Sequence, residues 1–230
     1  MCNFFCSWSG GKDSCLSLYK AIQRGDRPKF LLTTCIETGG RSRSHGLSLE
    51  IFRAHALALN IPLFTIDTTW ADYRNNFIRA IETLKTKEPS IMQGVFGDID
   101  NEANGQWEKD VCQATDITAY LPLWKMERRV VLREFLDLGF KAMIVAVDSI
   151  RLHPEYLGRI LDEALVKEFE ANGIDPCGEN GEYHTVVFDG PILAFPLVLE
   201  RGIVVTRSGY HFLDVTLSRQ YAHSHPDNYP

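Results

Sequence analysis

The sequence predicts an α/β protein, a doubly wound parallel sheet followed by a smaller α+β region. Three observations predict it. Up to Gly97, short apolar runs alternate four times with segments of helical spacing, and such alternation builds a parallel sheet with right-handed crossovers. The runs are continuous, as in Phe30-Leu31-Leu32-Thr33-Thr34-Cys35-Ile36, which suits strands covered on both faces. Beyond Ala119 the alternation becomes irregular and three short strands close the chain, so a second kind of architecture is expected there. We place the domains at residues 1–115 and 116–222, with a flexible polar tail at 223–230.

Taken in order, Met1–Trp8 is an apolar strand, rich in Phe, Cys and Trp. Ser9–Ser14 is a glycine turn, and Cys15–Ile22 is a helix whose Cys15, Leu16, Leu18, Ala21 and Ile22 share a face. Pro28–Ile36 is the second strand, Glu37–Ser44 a polar loop, and Leu47–Leu59 a helix. Pro62–Ile66 and Ile91–Phe96 are strands on either side of an amphipathic helix, Ala71–Lys87. The spacing then predicts a helix over Asn101–Gln113, an extended Ala119–Trp124 and a helix over Met126–Leu138. A strand over Lys141–Val147 and a helix over Tyr156–Phe169 follow. Asp175–Tyr183 is a loop dense in glycine, amide and acids, and Val186–Phe188, Ile203–Thr206 and Tyr210–Leu217 are strands. In sheets of this kind ligands bind beyond the carboxyl ends of the strands. Ser9–Ser14, Glu37–His45, Asp67-Thr68 and Gly97-Asp98 fall at those ends.

Composition narrows the field. The chain is 45% hydrophobic and 23% charged, which is ordinary for a folded domain with a sizeable core. Its net charge of −6 argues against a broad nucleic-acid surface, although Arg41–Arg43 and Lys125–Arg133 are local basic patches. The six cysteines form no Cys-x-x-Cys pair, so no zinc site is expected. No basic-then-apolar leader and no run of membrane-span length are expected, and a reducing cytoplasm fits. His223 and His225 in the tail are read as solvated side chains rather than a metal site.

Ser9–Ser14 reads Ser-Gly-Gly-Lys-Asp-Ser. Gly10 and Gly11 leave no Cβ in the way of a ligand, and the helix start offers free N–H groups and a positive dipole end. Lys12 adds a point charge, and Ser9 and Ser14 add hydroxyls, so the turn suits a di- or triphosphate. A tight βα turn with a Ser or Asp cap is the other reading of the same residues. Walker spacing is absent, because Lys12 is followed by Asp13 and Cys6 stands where that motif needs its first glycine. The stretch instead resembles the PP-loop of the adenine-nucleotide alpha-hydrolase-like ATP pyrophosphatases. That resemblance implies cleavage of ATP between its α and β phosphates.

The second constellation is Asp175–Thr185, Asp-Pro-Cys-Gly-Glu-Asn-Gly-Glu-Tyr-His-Thr. Read alone it is either an acidic turn or a binding loop. Together with Ser9–Ser14, Gly97-Asp98-Ile99, Trp107–Cys112, Pro122-Leu123-Trp124, Asp137–Ala142 and Leu157-Gly158-Arg159, it resembles the diphthine–ammonia ligase (diphthamide synthase) family over about residues 4–200. The resemblance implies a PP-loop nucleotide domain and a smaller acceptor domain. It also implies that ATP activates the diphthine carboxylate of elongation factor 2, and that ammonia then displaces AMP. Members of the family often carry His-Arg-Glu-Trp where this chain has Asn104-Gly105-Gln106-Trp107.

Roles follow from chemistry and resemblance together. Lys12 neutralises departing pyrophosphate, and Asp13 binds Mg²⁺ or caps the helix. Asp98, after Gly97, is a Mg²⁺ or ribose ligand. Thr34 and Ile36 offer backbone groups to adenine, and His45 neutralises the α-phosphate or is a structural histidine. Gly178, Glu179, Asn180, Glu182, Tyr183, His184 and Trp124 form the acceptor site. There a carboxylate takes a proton from ammonium, and the rings of Trp124 and Tyr183 hold the acceptor's trimethylammonium. Core packing is the alternative for both rings. The other functional readings are a PP-loop ligase acting on a small metabolite or a tRNA, and an ATP sensor without catalysis. The partners expected are ATP, ammonium and a carboxylate acceptor, with a homodimer compatible and no membrane.

Overall fold

The computed structural model describes residues 1–37, 40–42 and 45–218. Arg43 of the first basic patch, and the tail carrying His223 and His225, lie outside the described residues. The elements are β1 (Asn3–Ser7), α1 (Lys12–Gln23), β2 (Arg27–Ile36), α2 (Leu49–Leu59), β3 (Leu63–Thr68), α3 (Tyr73–Lys87), β4 (Ile91–Val95), α4 (Glu102–Gln113) and β5 (Thr118–Tyr120). They continue with α5 (Arg128–Asp137), β6 (Lys141–Asp148), α6 (Glu163–Ala171), β7 (Tyr183–Asp189), β8 (Leu199–Arg207) and β9 (Tyr210–Leu217).

The chain divides into two compact units. The first holds Met1–Ser9, the chain from Asp13 through β2, and Asn60–Met126. Its five strands run in the order β3-β2-β1-β4-β5, and every neighbouring pair is parallel. The expected doubly wound sheet is therefore present. The order reverses direction at β1, whose neighbours are β2 and β4, and such a switch point opens a crevice beyond the carboxyl ends of β1 and β4. The turns after these two strands are Ser9–Ser14 and Gly97-Asp98. Both are anchored by a core that includes Phe5, Leu32, Phe77, Ile81, Leu84, Ile91, Phe96 and Val111. Phe5 meets Phe77 and Phe96 edge-on, with ring centroids 6.3 and 6.0 Å apart. Each such side chain contributes roughly 1.5–3 kcal/mol by burial, so the strand ends beneath the turns are firmly held.

The second unit holds Gly10–Lys12, α2 and the chain from Glu127 through β9. Its sheet has the order β7-β6-β9-β8, with every pair antiparallel. α2 and the Gly10–Lys12 turn join it through β7. The His55 ring lies 2.6 Å from Val187 O, Val187 N donates to Gly10 O at 2.8 Å, and Lys12 N donates to Thr185 Oγ1 at 3.1 Å.

Several expected elements differ. The helix over Tyr156–Phe169 is replaced by a 3₁₀ turn at Pro154–Tyr156 and by α6, which begins only at Glu163. Between them Gly158 has φ 80°, and after a local turn the backbone bonds to β6. Gly158 N donates to Ile144 O, Ile144 N to Arg159 O, and Leu161 N to Ala142 O. Asp162 then restarts the helix as its N-cap, accepting from Leu165 N at 2.8 Å. Of the extended stretch Ala119–Trp124, only Thr118–Tyr120 pairs as a strand, and Trp124 N turns back onto Leu121 O. β7 also begins earlier than Val186, at Tyr183, so Tyr183, His184 and Thr185 are strand residues.

Candidate functional site

In the first unit, the helix that follows β1 carries Asp13 in its first turn, where a carboxylate suits the dipole. Ser9 Oγ and Ser14 Oγ lie 3.0 Å apart, so the two hydroxyls of the motif brace the turn from either end. The turn after β4 touches it. A Cβ on Gly97 would stand 2.9 Å from Ser14 N and 3.0 Å from the Asp13 carbonyl carbon, so only glycine fits. Asp13 and Asp98 thus rise from backbones in contact. Carboxylate and hydroxyl oxygens are the donors Mg²⁺ selects, so these residue types suit that ion.

Asp98 has two partners that sequence reasoning missed. Asn104 Nδ2 donates to its Oδ1 at 2.7 Å, and Glu108 is hydrogen-bonded to it from α4. Glu108 is only 4% exposed. Burial, then the bond to Asp98 and its charge, push the Glu108 carboxyl up to about 10. Glu108 is therefore protonated at neutral pH and donates to Asp98. The signal was an acid four residues after Asn104 on a helix that follows Gly97-Asp98.

Thr34 sits in β2 with its hydroxyl 3.4 Å from the Tyr73 hydroxyl. Ile36 N bonds to Arg41 O, which closes the strand end. Tyr73 belongs to an aromatic group with Trp107 at 5.4 Å and the exposed Trp70 at 5.6 Å. Trp124 is half-buried, with the ammonium groups of Lys109 and Lys125 over its ring at 5.3 and 5.0 Å. Its indole lies against Gly105, where a Cβ would come within 2.3 Å of the ring. With the ring in this place, position 105 has room for glycine alone.

In the second unit, Gly10 has φ 76°, and a Cβ there would meet His55, Leu47 and Phe52 at 3.1–3.3 Å. Lys12 is buried, 6% exposed. Its ammonium lies 3.5 Å from Glu179 Oε1 and 5.8 Å from the centre of the Tyr183 ring. His45 Nδ1 lies 2.8 Å from Thr185 O, and a carbonyl only accepts, so Nδ1 carries the proton and Nε2 the lone pair. His184 lies against His45 with ring centroids 4.7 Å apart and the planes tilted by 38°. Burial foremost, and then the Lys12 charge, push His45 down to about 4. Burial, His45 and Lys12 push His184 well below its ordinary value. Lys12 is therefore the charge of this cluster, flanked by two neutral imidazoles.

The acid loop is a fixed frame. Asp175 accepts from Cys177 N at 3.0 Å and Glu179 N at 3.1 Å, and it receives Arg128 Nη1 at 2.5 Å. Asn180 is bonded through every polar group it has. Its N and Nδ2 donate to the Glu182 carboxylate at 3.1 and 3.0 Å, Oδ1 accepts from Arg128 at 3.2 Å, and O accepts from Arg151. Tyr210 bonds Gly181 O at 2.8 Å. Tyr183 is 3% exposed, its hydroxyl donates to Pro176 O at 2.6 Å, and its ring covers Gly178. Asn180, Glu182 and Tyr183 thus hold the loop, and Glu179 is the carboxylate it presents to Lys12. Arg128 and Arg151 were not anticipated, because nothing near them in sequence marks the loop they reach. No helix among the described residues is long and apolar enough to cross a membrane.

Comparison with known proteins places the chain in a family. Residues 3–119 match the family model described as diphthamide synthase N-terminal domain, and residues 127–214 the one described as diphthamide synthase C-terminal domain. A human protein named diphthine–ammonia ligase is 27% identical over 96% of this chain and 94% of its own length. A Schizosaccharomyces pombe protein of the same name is 26% identical over 87% of this chain and 36% of its own. A solved chain described as a predicted subunit of tRNA methyltransferase from Methanocaldococcus jannaschii aligns with 80% of this chain and 96% of its own at 18% identity, with a TM-score of 0.44. The two family models leave only the stretch around residues 120–126 and the chain ends unmatched, and on that ground the chain belongs to the diphthamide synthase family, a family of ligases.

Proposed function

We propose that this chain is an ATP-dependent, AMP-forming ligase that turns a carboxylate into its amide with ammonia, the acceptor being the diphthine of elongation factor 2. The observation that supports this most is the pairing of Lys12, in the phosphate turn, with Glu179, in the acid loop. The cation for the leaving group and the acid for the incoming nucleophile belong to one cluster. Residues 1–115 carry the nucleotide function in this reading, and residues 116–222 the acceptor function.

Backbone N–H groups of Gly10 and Gly11 and the Lys12 ammonium bind the β and γ phosphates. Thr34 and Ile36 lie along adenine. The acceptor carboxylate attacks the α phosphorus, the bond to the β-phosphate oxygen breaks, and Lys12 neutralises the departing pyrophosphate. Glu179 takes a proton from ammonium, and ammonia adds to the acyl-adenylate carbonyl as AMP leaves. Asp13 and Asp98 would hold Mg²⁺, whose part is to polarise phosphoryl oxygens as a Lewis acid. Glu182, Asn180 and Tyr183 hold the loop that carries Glu179.

The test is product analysis by ion-exchange chromatography with ATP, ammonium chloride and diphthine-bearing elongation factor 2. AMP and pyrophosphate forming only with acceptor support the reading. Acceptor-dependent ADP without AMP, or nucleotide binding without turnover, would remove it.

A further inference from the structure

We propose that the Glu179 carboxylate is an internal occupant of the phosphate site, held at Lys12 until a nucleotide phosphate displaces it. The nucleotide's identity rests on the ligase reading above, while the switch rests on the second unit's own geometry.

Lys12 is a fixed cation. Its backbone N–H is bonded to Thr185 Oγ1 at 3.1 Å, and its side chain is 7% exposed, with the Tyr183 ring on one side. The two nearby imidazoles are neutral, so Lys12 is the positive charge an incoming anion meets in this cluster. Glu179 already sits before it. At 3.5 Å the Nζ–Oε1 contact is longer than the roughly 2.7–2.9 Å of a charge-assisted hydrogen bond, so this contact is chiefly one of charge. A phosphate arriving at the same ammonium meets a second anion within a few ångströms, and one must leave.

The loop backbone is not the part that moves. Asp175, Arg128, Arg151, the Asn180–Glu182 pair and the Tyr210 hydroxyl pin it on both sides of Glu179. Glu179 itself rotates about its side-chain bonds and is 17% exposed, so it has a path outward. Nucleotide binding then releases the carboxylate that takes the proton from ammonium. The base becomes available only when there is ATP with which to activate the acceptor.

The experiment is calorimetric titration of the full chain with inorganic pyrophosphate in EDTA, with no turnover to read. Glu179→Gln keeps the shape and removes the charge, and it should bind pyrophosphate ~5- to 150-fold tighter, the usual span of a coupling between sites. Glu179→Ala should shift the same way. Neither gain should survive in a Lys12→Ala background, because both act on one cation. Affinity unchanged or weakened in both variants would overturn the switch. So would a gain that persists without Lys12, or pyrophosphate binding to none of the proteins. The ligase reading is judged separately: a chain that never forms AMP can still show the tightened binding, and an active ligase can lack it.

Discussion

At position 105 anything larger than hydrogen meets the Trp124 indole within 2.3 Å. Gly105→Arg should therefore destabilise the first unit by about 1–3 kcal/mol through overpacking, lowering Tm by roughly 2–4 °C per kcal/mol. Trp124→Ala in the same chain should recover most of that loss in a thermal melt. Recovery failing would mean that a contact other than the indole excludes the larger residue. Lys12 makes a different case, since it is buried but poised on charge. Lys12→Ala should cost ATP affinity about 10- to 100-fold, the worth of a hydrogen bond to a charged group, as read by calorimetry. Glu108 adds a pH signature. Its folded carboxyl titrates near 10 and its unfolded one near 4.5, so the folded state binds the extra proton between those values and stability falls as pH rises through them. Glu108→Gln keeps the donor to Asp98 and removes the titration. The variant should gain on the parent in urea midpoint at pH 8.5 and come level with it near pH 4.5.

Elements show where the sequence was legible and where it was not. The parallel strands and the helices between them were readable because each apolar run is local and continuous. Ser9–Ser14 was readable because its chemistry lies in consecutive residues. Tyr156–Phe169 was misread because the decisive bonds, from Gly158, Arg159 and Leu161 to β6, join residues with no marker in their own spacing. The allegiance of α2 and Gly10–Lys12 to the second unit is equally silent, since it depends on β7, more than a hundred residues away. The acid loop lies between these cases. Its composition announced a site, but the division of labour within it is long-range, set by Arg128 and Arg151. Arg128→Gln should loosen this element alone. Amide exchange in a peptide spanning residues 175–182 should quicken by about tenfold or more, the cost of roughly two charged hydrogen bonds, while peptides of β1 and β4 keep their protection. Arg128→Lys should recover only part of it, because one ammonium cannot bridge Asp175 and Asn180 as a guanidinium does. Unchanged exchange in Arg128→Gln would show that Asp175 and Glu182 suffice.

On the scale of the whole chain, three histidines of the second unit set a common acid limit. His45 and His55 are pushed down to about 4 by burial, and His184 lies well below the ordinary value. Their unfolded value is near 6.5, so the unfolded chain binds protons that the folded chain refuses. Stability is then fully present above about pH 6.5 and is lost as pH falls toward 4, which is the sign for depressed groups. His55 is the cleanest of the three. It is 0% exposed, and its Nε2–H donates to Val187 O, which leaves a neutral ring in an apolar pocket against Phe52. Its share is on the order of 3 kcal/mol, as each pKa unit is worth about 1.4 kcal/mol. Glu108 slopes the other way over the same range, but it is one group against three, so the net trend below neutrality is downward. Guanidinium midpoints at pH 7.5, 6.5, 5.5 and 4.5 should therefore fall steadily. His55→Gln, which can still donate to Val187 O, should start lower at pH 7.5 and fall less steeply. A His55→Gln slope equal to that of the parent chain would place the acid limit elsewhere, in the carboxylates paired with Lys and Arg.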